Sequence, residues 1–199
     1  MLDVLGLAQK DKDAIGECYQ ALQKKYGCVM DNDLKETLAN RITELQLLSD
    51  YHTVSIKNVF RINENGREFY ILSIYLTEAH GNDNFIVLMF GMMVFKNNHE
   101  PVLIQPETAW DRLTNLFGIG KSKVIEFIGA KNKYRISLKG KKPVSHNLSK
   151  EFMDELYRTE KVYAEFYEKT FLATFNKPIR VEDTMRLADF LSRIGPALG

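Results

Sequence analysis

The residues of this chain with the clearest capacity for chemistry are basic. Lys131, Lys133, Arg135, Lys139 and Lys141 fall at positions of one parity, so on a β-strand they share a face, with Tyr134, Ile136 and Leu138 on the other. No acidic residue lies between Glu126 and Glu151 to neutralise that face. Such a stripe attracts phosphate-bearing ligands, anionic headgroups or nucleic acid. Natural sheets also place lysines on a solvated edge to prevent strand-to-strand aggregation. Anion binding by these five residues is the sharper expectation, and a solvated edge is its plainer rival.

Gly118-Ile119-Gly120-Lys121-Ser122 has the ending of a phosphate-binding P-loop. The full pattern requires a glycine where Asn115 stands, and a strand where this sequence reads as helix. Leu113, Leu116, Gly118, Ile119 and Gly120 resemble a helix-hairpin-helix better, with Val124, Phe127 and Ile128 lining its second helix. In that motif Gly118 and Gly120 turn backbone N–H groups toward a DNA phosphate, here beside Lys121. Against it, Val124 stands where a small residue closes the helix crossing, Ile125 would face water, and the same residues alternate acceptably as a strand. The four histidines, His52, His80, His99 and His146, have no His, Cys or carboxylate cluster at i+3 or i+4, so spacing builds no metal site. Cys18 and Cys28 are too few for a disulfide framework and form no CxxC; buried inert thiols in a reducing compartment are expected. GxSxG, HExxH and the glycine-rich dinucleotide loop are absent, and Asp83, Asp111 and Glu126 have no partner at catalytic spacing. The pattern leans away from an enzyme and implies no cofactor.

A sheet has to position these groups, and its centre is the run from Val54 to Phe95. VSIKNVFRI, REFYILSIYLT and FIVLMFGMMVF read as three strands. Glu64-Asn65-Gly66 joins the first two, because Asn-Gly tolerates the positive φ of a type I′ turn; Gly81-Asn82-Asp83-Asn84 joins the second and third. The first strand alternates, with Val54, Ile56, Phe60 and Ile62 opposite Ser55, Lys57 and Arg61. The third is apolar on both faces and carries Gly91 in its middle, where a bulge or bend is expected. A strand without a polar face must be covered on both sides, by helices or by curling of the sheet.

Ahead of the meander, Ile15, Cys18, Tyr19, Leu22 and Tyr26 form one helical stripe that Gly27 ends. Asp33 is placed to cap a second helix carrying Leu34, Leu38, Ile42, Leu45 and Leu48. After it, the polar run Lys96 to Pro101 separates a short strand, Val102 to Ile104, from a helix opened by Pro106 and striped by Trp110, Leu113, Leu116 and Phe117. Val124 to Leu138 reads as a second hairpin. Ser149 caps a further helix, with Leu148 and Met153 as a hydrophobic staple. VYAEFY and FLATF suit two strands better than a helix continued from 162 to 175. Leu187, Ala188, Leu191 and Ile194 line a last helix that Gly195-Pro196 should stop.

Composition bounds the rest. In 199 residues, Lys plus Arg (27) nearly balances Asp plus Glu (26), so net charge does not select a polyanionic partner. Eleven residues, Phe85 to Phe95, form the longest apolar run, well short of the ~20 that cross a bilayer as a helix. The N-terminus has an acid at Asp3 and no long apolar core, unlike a secretory signal. A soluble, cytoplasmic protein is expected.

From about Ala21 to Leu198 the order of elements resembles a bacterial domain family of unknown function. The residues that carry the likeness are Leu22-Gln-Lys-Lys-Tyr-Gly27, the hairpin Asn58 to Thr77, the segment Pro101 to Glu107 and the aromatic-basic strand Lys133 to Leu138, followed by a helix, two strands and a closing helix. Many members carry N-terminal membrane helices, which this sequence lacks. The resemblance implies a fold and no catalytic residues. An α+β protein is therefore expected: a strongly curved antiparallel sheet, barrel-like in the manner of pleckstrin-homology folds, with two N-terminal helices, inserted helices and a C-terminal helix packed on it. Residues 1–50 form the helical segment and residues 51–199 the sheet domain, together one compact unit. The expected function is a non-enzymatic binding or scaffold module whose basic strand contacts an anionic ligand or membrane surface. Its rivals are a small-molecule binder or enzyme with a pocket between the N-terminal helices and the sheet, and non-specific DNA binding through residues 113–128. A protein partner or second copy is also admitted, and nucleic acid ranks last.

Overall fold

The computed structural model describes residues 1–78, 85–106, 134–138 and 148–198. Helix α1 is Gln9–Tyr26, with Ile15, Cys18 and Leu22 buried along its stripe. Gly27 ends it in the left-handed region (φ 62°), and its N–H donates to Gln23 O at 2.9 Å. The second helix is shorter than its leucine periodicity suggests. A 3₁₀ turn, Asn32–Leu34, leads into α2, Lys35–Ile42, and a second 3₁₀ turn, Gln46–Leu48, follows. Asp33 does not cap α2; it lies inside the first 3₁₀ turn, and Leu34 occupies the cap position. Tertiary bonds set this turn instead: Asn32 Oδ1 accepts from Val59 N at 3.1 Å, and Asn32 Nδ2 donates to Met1 O at 3.0 Å. Leu38, Ile42, Leu45 and Leu48 are nevertheless all buried, so the stripe survives the break in the helix.

The strands are β1 (Val29–Met30), β2 (Tyr51–Glu64), β3 (Arg67–Glu78), β4 (Phe85–Pro106), β5 (Tyr134–Leu138) and β6 (Tyr163–Pro178). All pair antiparallel, in the order β1-β2-β3-β4-β5, with β6 also on β4. Asn65 (φ 53°) and Gly66 (φ 77°) make the expected turn, and Glu64 pairs with Arg67 across it. The break expected at Lys96–Pro101 is not a break. Strand β4 runs through it for 22 residues, because β6 offers a partner along its length. Between the pairs Val94–Thr170 and His99–Glu168, β4 advances five residues (94 to 99) while β6 advances two (170 to 168), so β4 bulges outward there. Residues 163–175 are strand, as preferred over helix, but belong to one strand bent at Glu168 (φ 49°).

Gly91 is not a bulge. It is in register with Ile71 and Ala173 on its two sides. Its missing side chain admits a helix: a Cβ there would lie 2.6 Å from Leu191 Cδ1 and 3.2 Å from Leu187 Cγ. Those leucines belong to α4, Val181–Leu198, which continues through Gly195-Pro196 rather than stopping. Proline there removes one donor in the final turn, and buried Gly195 keeps the helix within contact of Met93 and the Arg67 stem. Helix α3, Lys150–Thr159, begins as expected, with Ser149 Oγ accepting from Phe152 N at 3.2 Å and with Leu148 and Met153 buried.

The sheet has two buried faces. On one, Phe60, Ile62, Ile71, Met89, Phe166 and Phe171 pack under α1, α3 and α4; here Phe166 and Phe171 sit 4.6 Å apart, and Phe152 of α3 meets both edge-on. On the other, Ile74, Leu76, Leu88, Phe90, Met92 and Leu172 pack under α2 and the Gln46–Leu48 turn. That short segment touches both β2 and β6, so the sheet curls around it. Strands β2 and β6 flank a gap that α2 fills, and the sheet stays open rather than closing as a barrel. Both ways of covering the all-apolar strand are in use at once. Among the described residues no helix is long and apolar enough to cross a membrane.

Candidate functional site

Of the predicted basic stripe, Arg135 is within the described residues; Lys131, Lys133, Lys139 and Lys141 lie outside them. So do Gly118, Gly120 and Lys121, with the whole helix-hairpin-helix candidate at 113–128, the helix expected after Pro106 and the first arm of the second hairpin. Pro106 itself ends β4, paired with Tyr134. Ile136 is buried opposite Ile104, and Arg135 is half-buried opposite Gln105. Tyr134 is fixed by its hydroxyl, which donates to Leu156 O at 3.1 Å and accepts from Val162 N at 3.2 Å. Burial pushes its pKa up to about 12.

Of the four histidines, His80 and His146 lie outside the described residues. His99 packs in the β4 bulge, its ring 4.5 Å from Phe95 and 5.7 Å from Phe166, while His52 is exposed on β2. Among the described residues no three His, Cys, Asp or Glu side chains are placed to hold a metal. Cys18 and Cys28 are free and buried; Cys18 lies 3.3 Å from Thr184 Oγ1, and burial raises the thiol pKa of Cys28 to about 11.

The structure brings a different set of side chains together. Between α2 and the irregular part of the β4–β6 ribbon lies a polar cleft of about 420 Å³. Its helical wall is Asn40, Arg41 and, just past the end of α2, Glu44. Spacing of three and four residues turns these outward on one side of the helix, while Leu38, Ile42 and Leu45 face the core. Asn98 comes from the β4 bulge, and Tyr167 to Thr170 come from the bend in β6. The left-handed backbone at Glu168 makes that bend; for a residue with a Cβ this conformation costs about 1–3 kcal/mol and persists only when its surroundings hold it.

The charges in the cleft are divided. The Tyr167 hydroxyl donates to Glu44 Oε2 at 2.5 Å. That bond raises the phenol pKa, and the charges of Glu44, Glu168 and Glu165 add to the effect, so the Tyr167 end of the cleft is electronegative. Arg41 and Lys169 are the cations of the cleft. Among the described residues, neither of them, nor Glu168, makes a salt bridge or side-chain hydrogen bond. Opposite charges thus share one cleft without neutralising each other. This arrangement can hold a charged ligand by direct ion pairs, with the Asn40 and Asn98 amides to orient it. Sequence reasoning missed these residues because the walls come from distant segments: Glu44 and Tyr167 are 123 positions apart. A pocket between an N-terminal helix and the sheet was among the readings of the sequence, but no residue of it was.

The chain is an α+β protein built on an open, curved antiparallel sheet with helices on both faces. No family model and no curated protein matches it. Among solved structures it is similar to the crystal structure of the mycobacterial trehalose monomycolate transport factor A, TtfA. The two are 11% identical with a TM-score of 0.45, over 89% of this chain and 94% of that one.

Proposed function

We propose that this protein is a non-enzymatic binding module that holds an anionic group in the cleft between α2 and the β4–β6 bend. The observation that carries the reading is the pair Arg41 and Lys169, two cations in one cleft that make no salt bridge among the described residues. A cation left without a partner next to amide donors is a ready-made seat for carboxylate or phosphate. Among the described residues the cleft lining offers amides, two cations and two carboxylates, a set suited to holding charge by ion pairs. The test is titration of the ¹⁵N-labelled chain with acetate and with inorganic phosphate. Saturable shifts are expected at the Asn98 and Glu168–Thr170 amides. They should vanish in Arg41→Glu/Lys169→Glu, whose exposed sites leave the fold intact. Shifts that persist in the double variant would place the anion elsewhere.

A second reading keeps the anionic partner on the basic strand, as part of the bacterial domain family that the element order resembles. Its support is the alternation of Arg135 and Ile136 on β5, the pattern a one-face stripe requires. Binding to phosphatidylserine vesicles and to duplex DNA, titrated with salt, distinguishes it. A Lys133→Glu/Arg135→Glu variant that binds like the wild type would remove the strand from the mechanism.

A further inference from the structure

We infer that the ligand of the cleft is a small zwitterion, a free α-amino acid, bound by its carboxylate and its ammonium together. The inference rests on the cleft being the ligand seat and concerns the half of it that an anion leaves unused. A site for a simple anion would be lined by cations and neutral donors. This one also contains Glu168, without an ion pair among the described residues, and Glu44 carrying the Tyr167 hydroxyl. Carboxylates beside an anion site weaken its hold on a simple anion, and a positive charge on the ligand offsets that cost. A ligand of both signs removes the conflict. Its carboxylate meets Arg41 and Lys169, and its ammonium meets Glu168 and the phenol-bonded Glu44. Glu44, three residues beyond Arg41, is taken by the Tyr167 hydroxyl rather than by the guanidinium, while Glu168 and Lys169 follow each other through the left-handed bend. A cleft of about 420 Å³ has room for an amino acid with any side chain.

The experiment uses the full chain, ¹⁵N-labelled, titrated separately with each of the twenty common amino acids. The tightest is then compared with its N-acetyl derivative and its C-terminal amide. Saturable shifts at Asn98 and Glu168–Thr170 are expected for at least one free amino acid. Acetylation and amidation should each weaken binding about tenfold, the effect of losing one charge-assisted contact. Glu168→Gln should weaken the free amino acid and leave its N-acetyl derivative unchanged. If the N-acetyl derivative binds as tightly as the free amino acid, the zwitterion inference falls while the anion seat stands. If no amino acid moves these amides the inference also falls, and the acetate and phosphate titrations decide the seat independently.

Discussion

At position 91 the sheet and the last helix meet without room for a methyl group. A Cβ on Gly91 would enter the space of Leu191 Cδ1 at 2.6 Å and Cγ at 3.1 Å, and Leu191 is fully buried. Gly91→Ala should therefore lower the free energy of unfolding by about 1–3 kcal/mol, read from the urea midpoint. In a Leu191→Ala background the same change should be close to neutral, since the methyl then fills the space vacated. Equal costs in both backgrounds would show that the helix is not what Gly91 accommodates. Tyr134 gives a prediction with a pH window. Its phenol is raised from 10.0 to about 12, chiefly by burial. The folded state thus keeps a proton that the unfolded state has already lost. The associated stability is fully present below pH 10 and disappears as pH rises toward 12. Tyr26 and Tyr70 shift in the same direction, also chiefly through burial. The urea midpoint should fall between pH 10 and 12, and Tyr134→Phe should make the fall shallower. That variant should cost about 1–3 kcal/mol at neutral pH, because the Val162 N–H loses its acceptor. An identical alkaline slope in wild type and variant would acquit this residue.

Among the elements, the segment from α2 through the Gln46–Leu48 turn is held to β6 by a buried carboxylate. Glu165 is 1% exposed, and its Oε2 accepts from Leu47 N at 2.7 Å. Glu165→Gln retains an acceptor, whereas Glu165→Leu leaves the amide without one and should cost about 1–3 kcal/mol. Hydrogen exchange locates the effect: in Glu165→Leu the amides of Leu45 to Leu48 should exchange faster than those of the central strands. Uniform acceleration across the chain would mean that the bond does not anchor this segment in particular. The elements also differ in how far the sequence revealed them. The β2–β3 hairpin was legible because its turn chemistry, Asn65-Gly66, and its alternation are local. Leu45 and Leu48 were legible as core but not as extended turn, since burial of the stripe does not require the helix to continue. The length of β4 was hidden because Lys96 to Pro101 has loop composition, and only pairing with β6 absorbs it as a bulge. The cleft was hidden for the same reason: it exists where that bulge, the bend at Glu168 and α2 meet, and no local pattern encodes a meeting of three segments.

For the molecule as a whole, residues 1–50 decide whether the sheet can exist, because they cover both of its faces. Helix α1 lies on one, where Tyr19 stacks on Phe60 at 5.5 Å and Ile15 and Leu22 are fully buried. The α2 segment lies on the other, where Leu38, Ile42, Leu45 and Leu48 fill the hollow of the curl. Each fully buried aliphatic side chain contributes about 1.5–3 kcal/mol. The loss of these six, about 9–18 kcal/mol, is comparable to the roughly 5–15 kcal/mol by which a typical domain is stable. Removing the segment also bares the partners of those side chains on the sheet, wholly on the α2 face and in part on the face that α3 and α4 still cover. Residues 51–199 alone should accordingly bind an apolar dye, show no cooperative thermal transition and aggregate. The full chain should unfold in one transition, with equal calorimetric and van't Hoff enthalpies. Adding residues 1–50 as a separate peptide should restore cooperative melting to the fragment, since what the sheet lacks is cover rather than connectivity. A fragment that folds by itself would mean that α3, α4 and the curl of the sheet suffice, with the N-terminal helices mere additions to a self-sufficient core.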